Sequence, residues 1–284
     1  GGKKISMKVS FVTVSYNNYE ITSNYVASIK FMRGYENFVD KIVIVDNCSN
    51  DDDYYQLKKN LEEEPKVIII RSNKNVGYSK GINIGLEYLS NEKYSYIICG
   101  NNDILFSRDF LNNLEKTNYN DDVYMIVPDI ITLNGCHQNP QRESPKRNWK
   151  DRIQDFAHCS TFTSIIFNYS YLIFKNYIIR SKQNANIKSR YIHTCTGAIF
   201  IFTRAYIQNC KIMEPIVFMW CEETILAAQI LSKGGKTYLD SNLKVKHLEN
   251  ASVNSIRNIK KIKMYNNSYK ISRTYIKRTI GDLE

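Results

Sequence analysis

Apolar and polar positions divide the first half of this chain into short segments of two alternating periods. Lys8 to Ser15, KVSFVTVS, is a β-branched and aromatic run of strand type. Tyr16 to Tyr19 interrupts it, and Glu20 to Arg33 then spaces Ile21, Tyr25, Ile29 and Met32 as a helix does. Lys41 to Asp46 is nearly all apolar, the pattern of a parallel strand covered on both faces. A polar loop at 47–53 precedes a helical stretch from Tyr54 to Glu63 and a short buried strand from Val67 to Ile70. Asn75 to Gly77 turns the chain into a helix over Ser79 to Leu89. Tyr94 to Cys99 is a fourth strand, and Val123 to Pro128 another.

Strands alternating with helices predict βαβ units, right-handed crossovers and a mostly parallel, Rossmann-like α/β sheet flanked by helices. Ligands of such sheets bind beyond the carboxyl ends of the strands. Ser15-Tyr16-Asn17, Asp46-Asn47, the loop from Asn73 to Gly77, and Asn101 to Asp103 each follow a strand, so four polar strand ends converge on one rim. That is the description of a nucleotide or phosphosugar crevice. The pattern degrades afterwards. Leu133 to Arg152 reads as an irregular loop with Pro140 and Pro145, Phe156 to Ile179 as helical, and Ser181 to Arg190 as a polar linker. Ile199 to Phe202 is strand-like, Thr224 to Lys233 is a helix ended by Gly234-Gly235, and two short strands cover Thr237 to Leu239 and Leu243 to His247.

Composition adds two constraints. The seven cysteines are scattered without any C-x-x-C, which argues against a disulfide scaffold or structural zinc and for a reducing compartment. A net charge of +11 calls for an anionic partner: nucleic acid, acidic headgroups or a phosphorylated substrate. The excess lies late, with eight basic residues and no acid from Arg257 to Arg278. Apolar Ile256, Ile259 and Ile262 interleave with them, as in a peripheral helix on an anionic membrane and equally as in a basic helix packed on the core. No apolar run nears the ~20 residues of a membrane span and no secretory pattern opens the sequence. The expectation is a cytoplasmic protein, peripheral at the inner face of the plasma membrane.

The most telling segment is YIICGNNDILF, residues 96–106. A hydrophobic strand stops at Asn101-Asn102-Asp103 and an apolar run resumes. Asp103 offers a hard anionic oxygen and the amides offer neutral oxygens and N–H donors, a set suited to a hydrated divalent cation carrying phosphate. Taken alone the triplet also fits an Asn/Asp turn.

The order of motifs resembles that of the inverting family 2 glycosyltransferases of GT-A fold, in particular their rhamnosyltransferase-like and polysaccharide-assembly branch. The matching pieces are VSFVTVSYNN (9–18), IVIVDNCSND (42–51), NKNVGYSKGINIG (73–85), GNNDILF (100–106), TGAIFIFTR (196–204), MWCEETILAAQILSKGG (219–235) and VKHLENAS (245–252). The resemblance implies a GT-A domain over 7–252, with a nucleotide-sugar half to about 128 and an acceptor half from 129, followed by a basic helical tail at 253–284. It implies that Ser15, Tyr16 and Asn17 lie by the nucleoside and that Asp46 bonds the base or ribose. Asn75, Gly77 and Asn83 would face the donor, with Gly85 packing the helix on the sheet.

Asn101-Asn102-Asp103 stands where the family carries Asp-x-Asp. The resemblance makes Asp103 a ligand of Mn2+ or Mg2+ and Asn101 and Asn102 donor contacts, and His247 completes the metal site or meets the diphosphate. Glu222-Glu223 stands where the family has Glu-Asp, which makes Glu223 the catalytic base and Glu222 the reserve. A UDP- or dTDP-sugar donor and a saccharide or lipid-linked oligosaccharide acceptor follow, with a role in bacterial surface polysaccharide assembly. Two other classes fit parts of the sequence. A nucleotidyltransferase shares the crevice but calls for a glycine-rich basic loop after the first strand, which SYNNYE is not. A non-catalytic nucleic-acid-binding module accounts for the charge but not for the ordered motifs, so no nucleic acid is expected.

Overall fold

The computed structural model describes residues 7–167, 186–249 and 259–281. Its strands are β1 (Val9–Ser15), β2 (Val39–Asp46), β3 (Val67–Arg71), β4 (Tyr96–Asn101), β5 (Ile104–Phe106), β6 (Val123–Thr132), β7 (Arg190–Ile192), β8 (Ile199–Thr203) and β9 (Lys236–His247). They form one sheet in the order β3-β2-β1-β4-β8-β6-β9-β5, with β7 also on β9. From β3 to β4 the pairing is entirely parallel. The second half is mixed: β8 runs antiparallel to β4 and β6, while β6 and β9 run parallel. The predicted α/β architecture is therefore present, with its wholly parallel part confined to the four strands whose helical crossovers the periodicity revealed.

The helices are α1 (Tyr19–Lys30), α2 (Tyr35–Phe38), α3 (Asp51–Leu61), α4 (Tyr78–Leu89), α5 (Phe110–Lys116), α6 (Trp149–Ala157), α7 (Arg204–Asn209), α8 (Glu222–Ser232) and α9 (Ile259–Ile280). Alternation along the strands builds two cores. Ile42 and Ile44 of β2 join Phe11, Tyr25, Ile29 and Phe106 on one face of the sheet. Val43 and Val45 join Val12, Ile82, Leu86 and Phe200 on the other. Helix α4 lies close on that second face. A Cβ on Gly85 would stand 2.3 Å from Val12 Cγ1, so only glycine permits this approach.

Three segments differ from their predicted form. Helix α6 starts inside the stretch expected to be irregular, because Asn148 caps it. The Asn148 side chain accepts from Lys150 N at 2.9 Å, and Asp151 Oδ2 accepts from Asn148 N at 2.6 Å. The single helix expected over Phe156 to Ile179 is broken at His158–Ser160, and residues 161–167 are helical again. Its part beyond residue 167 lies outside the described residues. The two short strands expected near the end are one strand, β9, whose pairing with β6 steps from Asp240 to Lys244 and skips 241–243.

The basic tail, as far as residues 259–281 describe it, is α9. Its buried positions are Ile262, Asn266, Ser268 and Ser272. Ser268 Oγ donates to Met219 O at 2.7 Å, and Tyr269 OH donates to Asp155 Oδ1 at 2.6 Å. The tail thus docks on α6 and on the segment leading into α8.

Candidate active site

Strand register alone aligns the rim. Ser15 pairs with Asp46, Asp46 with Arg71, and Val14 with Asn101, so the ends of β1 to β4 stand side by side. Most of the polar groups delivered there bind one another. Ser15 Oγ bonds Asn18 Oδ1 at 3.0 Å and Thr22 Oγ1 at 2.9 Å. Asn102 Nδ2 donates to Asn18 Oδ1 at 2.8 Å and to Thr22 Oγ1 at 2.7 Å. Asn17, at φ 51°, accepts from Asn50 through N and Nδ2, both at 2.9 Å. Asn75 Oδ1 accepts from Asn47 Nδ2 at 3.0 Å and from Gly77 N at 3.1 Å.

Two glycine-motif residues have structural partners instead of an open face. Gly77 has φ 86°, and a Cβ there would stand 2.2 Å from Phe218 O, so this glycine is where α4 meets the loop before α8. Asn83 is buried with both ends of its amide engaged: Nδ2 donates to Met213 O at 2.8 Å, and Oδ1 accepts from Met213 N at 2.9 Å. It staples α4 to that same loop.

The groups left over are more informative. Asp46 is fully buried. Its Oδ2 accepts from Ser49 N at 3.3 Å and lies 3.4 Å from Arg71 Nε, whereas Oδ1 is buried with no hydrogen-bond partner among the described residues. A buried carboxylate oxygen without a partner at a strand end retains the capacity to accept from an N–H or O–H donor. Tyr16 stands beside it on the rim at 49% exposure, with its ring face available for stacking. Asn101 anchors the end of β4 by donating its N–H to Ala198 O at 2.8 Å.

The pairing of β5 with β9 sets Ile104 opposite His247 and brings His247 Nε2 to 3.2 Å from Asp103 Oδ1. The hydrogen-bond network assigns the ring's tautomer. Gln138 Nε2 donates to Glu249 Oε1 at 2.9 Å, which turns Gln138 Oε1 towards His247 Nδ1 at 2.8 Å. Nδ1 therefore carries a hydrogen, and Nε2 is the ring nitrogen that faces the carboxylate. A proton or a cation between Nε2 and Oδ1 makes that approach favourable. One hard oxygen and one imidazole nitrogen, both nearly buried, fit Mn2+ or Mg2+, with Mn2+ better served by the nitrogen. Among the described residues, no cluster of three His, Cys, Asp or Glu side chains forms around a metal position.

Glu222 and Glu223 open α8 immediately after two left-handed residues, Trp220 at φ 67° and Cys221 at φ 66°. Neither is glycine, and each such residue costs about 1–3 kcal/mol, held here by the surrounding packing. Helix α9 supplies that brace through Ser268 on Met219 O, and through Tyr265, whose ring lies 6.0 Å from Trp220. Glu223 Oε2 lies over Gly197, where a Cβ would come within 3.3 Å. Gly197 in turn adjoins Ala198, the partner of Asn101. Burial raises both carboxyls. Glu222 is pushed up to about 8 by burial and then by the charge of Glu223, and its buried Oε1 has no hydrogen-bond partner among the described residues. At neutral pH Glu222 is therefore a neutral acid, and the same burial disfavours the charged form of Glu223.

A cavity of about 320 Å³ opens beside Glu223, walled by Arg142, Lys150, Tyr265 and Tyr269. A larger cleft of about 840 Å³, lined among others by Arg108, Lys116 and Lys244, holds none of the predicted site residues. Sequence reasoning missed Gln138, Asn18 and Tyr78, whose OH donates to Gly197 O at 3.3 Å. Asn18 was the one with a legible signal, as the second asparagine of a polar strand end.

Residues 10–210 match the family model described as glycosyl transferase family 2. No curated protein matches the chain significantly. Among solved structures it is similar to GalNAc-T7 with UDP, GalNAc and Mn2+, at 15% identity and TM-score 0.61, over 97% of this chain and 50% of that one. It is also similar to residues 1–349 of TarS from S. aureus, at 12% identity and TM-score 0.60, over 98% of this chain and 67% of that one. A third is the mannosyltransferase PcManGT from Pyrobaculum calidifontis in complex with GDP-Man and Mn2+, at 14% identity and TM-score 0.55, over 95% and 61%. The chain thus spans about half the length of the first of these, and at such identities the likeness is one of fold. The family match covers well over half of the sequence and runs through the strand ends described above: the chain belongs to glycosyl transferase family 2 and has the GT-A fold.

Proposed function

We propose that this protein transfers a sugar from a nucleoside-diphosphate-sugar to a hydroxyl of a saccharide acceptor, with inversion at the anomeric carbon. The observation that carries the reading is the Glu222–Glu223 pair on its left-handed turn. One acid is held neutral, and the other lies over Gly197 at the mouth of a cavity. Glu223 takes the proton of the acceptor hydroxyl as that oxygen bonds to the anomeric carbon. The bond from that carbon to the diphosphate oxygen breaks on the opposite side, and the nucleoside diphosphate leaves with the electron pair. Asp46 Oδ1 and Tyr16 hold the nucleoside.

Asp103 and His247 are the residues that would hold Mn2+ or Mg2+, which when bound supplies positive charge against the leaving diphosphate. Asn101 and Asn102 frame this corner through backbone and side-chain bonds. Neighbours crystallised with UDP and Mn2+ or with GDP-Man and Mn2+ support a nucleotide-sugar donor and a divalent cation. The donor class we favour is a UDP- or dTDP-sugar, and the acceptor a saccharide, lipid-linked in the assembly of a bacterial surface polysaccharide at the cytoplasmic face of the membrane.

A thermal-shift screen of UDP-, dTDP- and GDP-sugars with and without Mn2+ or Mg2+ tests the reading. It expects a cation-dependent rise in Tm with one nucleotide class. No shift with any of them would sink it.

A further inference from the structure

Helix α6 has two faces of opposite character. At roughly 100° per residue, Trp149, Ile153 and Phe156 fall within about 60° of arc. All three are exposed, at 67%, 44% and 70%. Asp151 and Gln154 point the other way and wall the cavity beside Glu223. Asp155 is turned inwards as well, held by Tyr269 OH at 2.6 Å and by Arg273 Nε at 3.2 Å. The helical residues 161–167 repeat the arrangement. Ser164 faces α9, with its Oγ 2.9 Å from Asn266 Oδ1, while Phe162 is 73% exposed.

Three large apolar side chains, two of them aromatic, thus share the outward face of α6, and Phe162 adds a fourth exposed apolar side chain on the helical segment that follows. The borders of this stripe are basic. Lys150 and Arg152 fall on the two sides of the stripe along the helix, and Lys150 Nζ lies 5.8 Å from the centre of the Trp149 ring. Exposed Lys146 precedes the helix, Arg147 is taken up by Asp155, and exposed Lys260, Lys263 and Lys270 come from α9.

We infer that the outward face of α6, together with Phe162, is a docking surface for an anionic lipid bilayer. An aromatic and aliphatic stripe between basic edges is the composition of a helix lying in a membrane interface. Charge selects this occupant. A second copy of the chain would set one basic rim against another in a protein of net charge +11, whereas acidic headgroups neutralise it. The buried face of α9 is already committed to α6 and the catalytic turn, so α6 provides the apolar contact and α9 adds charge. The stripe and the cavity occupy opposite sides of one helix, about 10 Å thick. A bilayer on the stripe therefore stands one helix away from Glu223. The inference goes beyond the transfer reaction and does not depend on it, since lipid binding is measured without turnover.

The test is flotation of the full chain with phosphatidylcholine vesicles, with and without phosphatidylglycerol. Binding is expected to the anionic vesicles and to weaken with salt. Trp149→Ala/Phe156→Ala/Phe162→Ala is expected to bind them roughly a hundredfold less tightly with an unchanged melting curve. Arg152→Glu/Lys263→Glu is expected to lose roughly tenfold or more. The unmodified protein offers a second readout should the triple variant not fold. Brominated acyl chains are expected to quench its tryptophan fluorescence, and to quench that of Trp149→Phe much less. Equal flotation of the triple variant, equal quenching of Trp149→Phe, or no flotation of the wild type would each overturn the proposal. So would a vesicle-independent dimer that the triple variant dissolves, because the occupant would then be a second copy.

Discussion

The donor rim and the catalytic turn are both polar, yet they hold their polar groups in opposite ways. On the rim, Ser15, Asn18, Thr22 and Asn102 bond one another, as do Asn47, Asn75 and Gly77, so the strand ends are fixed before any ligand arrives. Asp46 Oδ1 is a buried oxygen there with no hydrogen-bond partner among the described residues. At the catalytic turn, two left-handed residues, a buried acid with an orphaned oxygen and a second acid over Gly197 are all costs that the fold sustains. Polarity at a strand end thus marks a scaffold as often as a contact. Unrelieved strain and unmatched oxygen atoms are better markers of chemistry.

The largest expected effect separates the two acids of the turn. Glu223→Gln should lower kcat roughly a thousandfold with nucleotide affinity retained, the usual scale for a lost general base. Near-normal turnover would transfer the role to Glu222. Next comes the corner where rim and turn meet. Asp103→Ala should remove the cation-dependent part of nucleotide binding, several kcal/mol of charge stabilisation, in titrations with and without Mn2+. Identical isotherms for variant and wild type would refute the Asp103–His247 pair as a cation site.

A third effect is a pH dependence of stability. Glu222 has a folded-state pKa of about 8 against an ordinary 4.5, so between those values the folded chain holds more protons than the unfolded one. Stability contributed by this group is greatest below pH ~4.5 and declines as pH rises towards ~8, over a range on the order of a few kcal/mol. Melting curves of Glu222→Gln should lack that decline, and curves parallel to wild type across the window would show that burial does not hold Glu222 neutral. The smallest effect tests the rim as scaffold. Asn83→Ala orphans the Met213 N–H and C=O and should cost about 1–3 kcal/mol in urea unfolding while donor affinity stays unchanged. Weaker donor binding at full stability would return Asn83 to the site.

Much of the parallel half was legible because its signal is local. A two-sided apolar strand such as KIVIVD and a helix such as Tyr78–Leu89 each declare themselves within a dozen residues. The mixed half was harder. Strand β7 is three residues long, and α6 hides its start behind an Asn-x-x-Asp cap inside a polar stretch. The motifs named Asp103, Glu223 and His247 in order along the chain, but nothing in their spacing gives a distance.

By itself, then, the sequence determined the alternation of strands and helices, the polar residues delivered at strand ends, and the basic excess near the end. Those follow from periodicity and composition, which act on near neighbours. Tertiary structure decided which polar groups satisfy each other, that Asn83 turns to Met213 while Asp46 keeps an open oxygen, and that α9 braces the turn carrying Glu223. It also turned the aromatic stripe of α6 outwards. Such outcomes depend on register and packing between residues distant in sequence, as far as 130 positions for Asn83 and Met213, where hydrogen-bond partners and burial are set by the whole sheet.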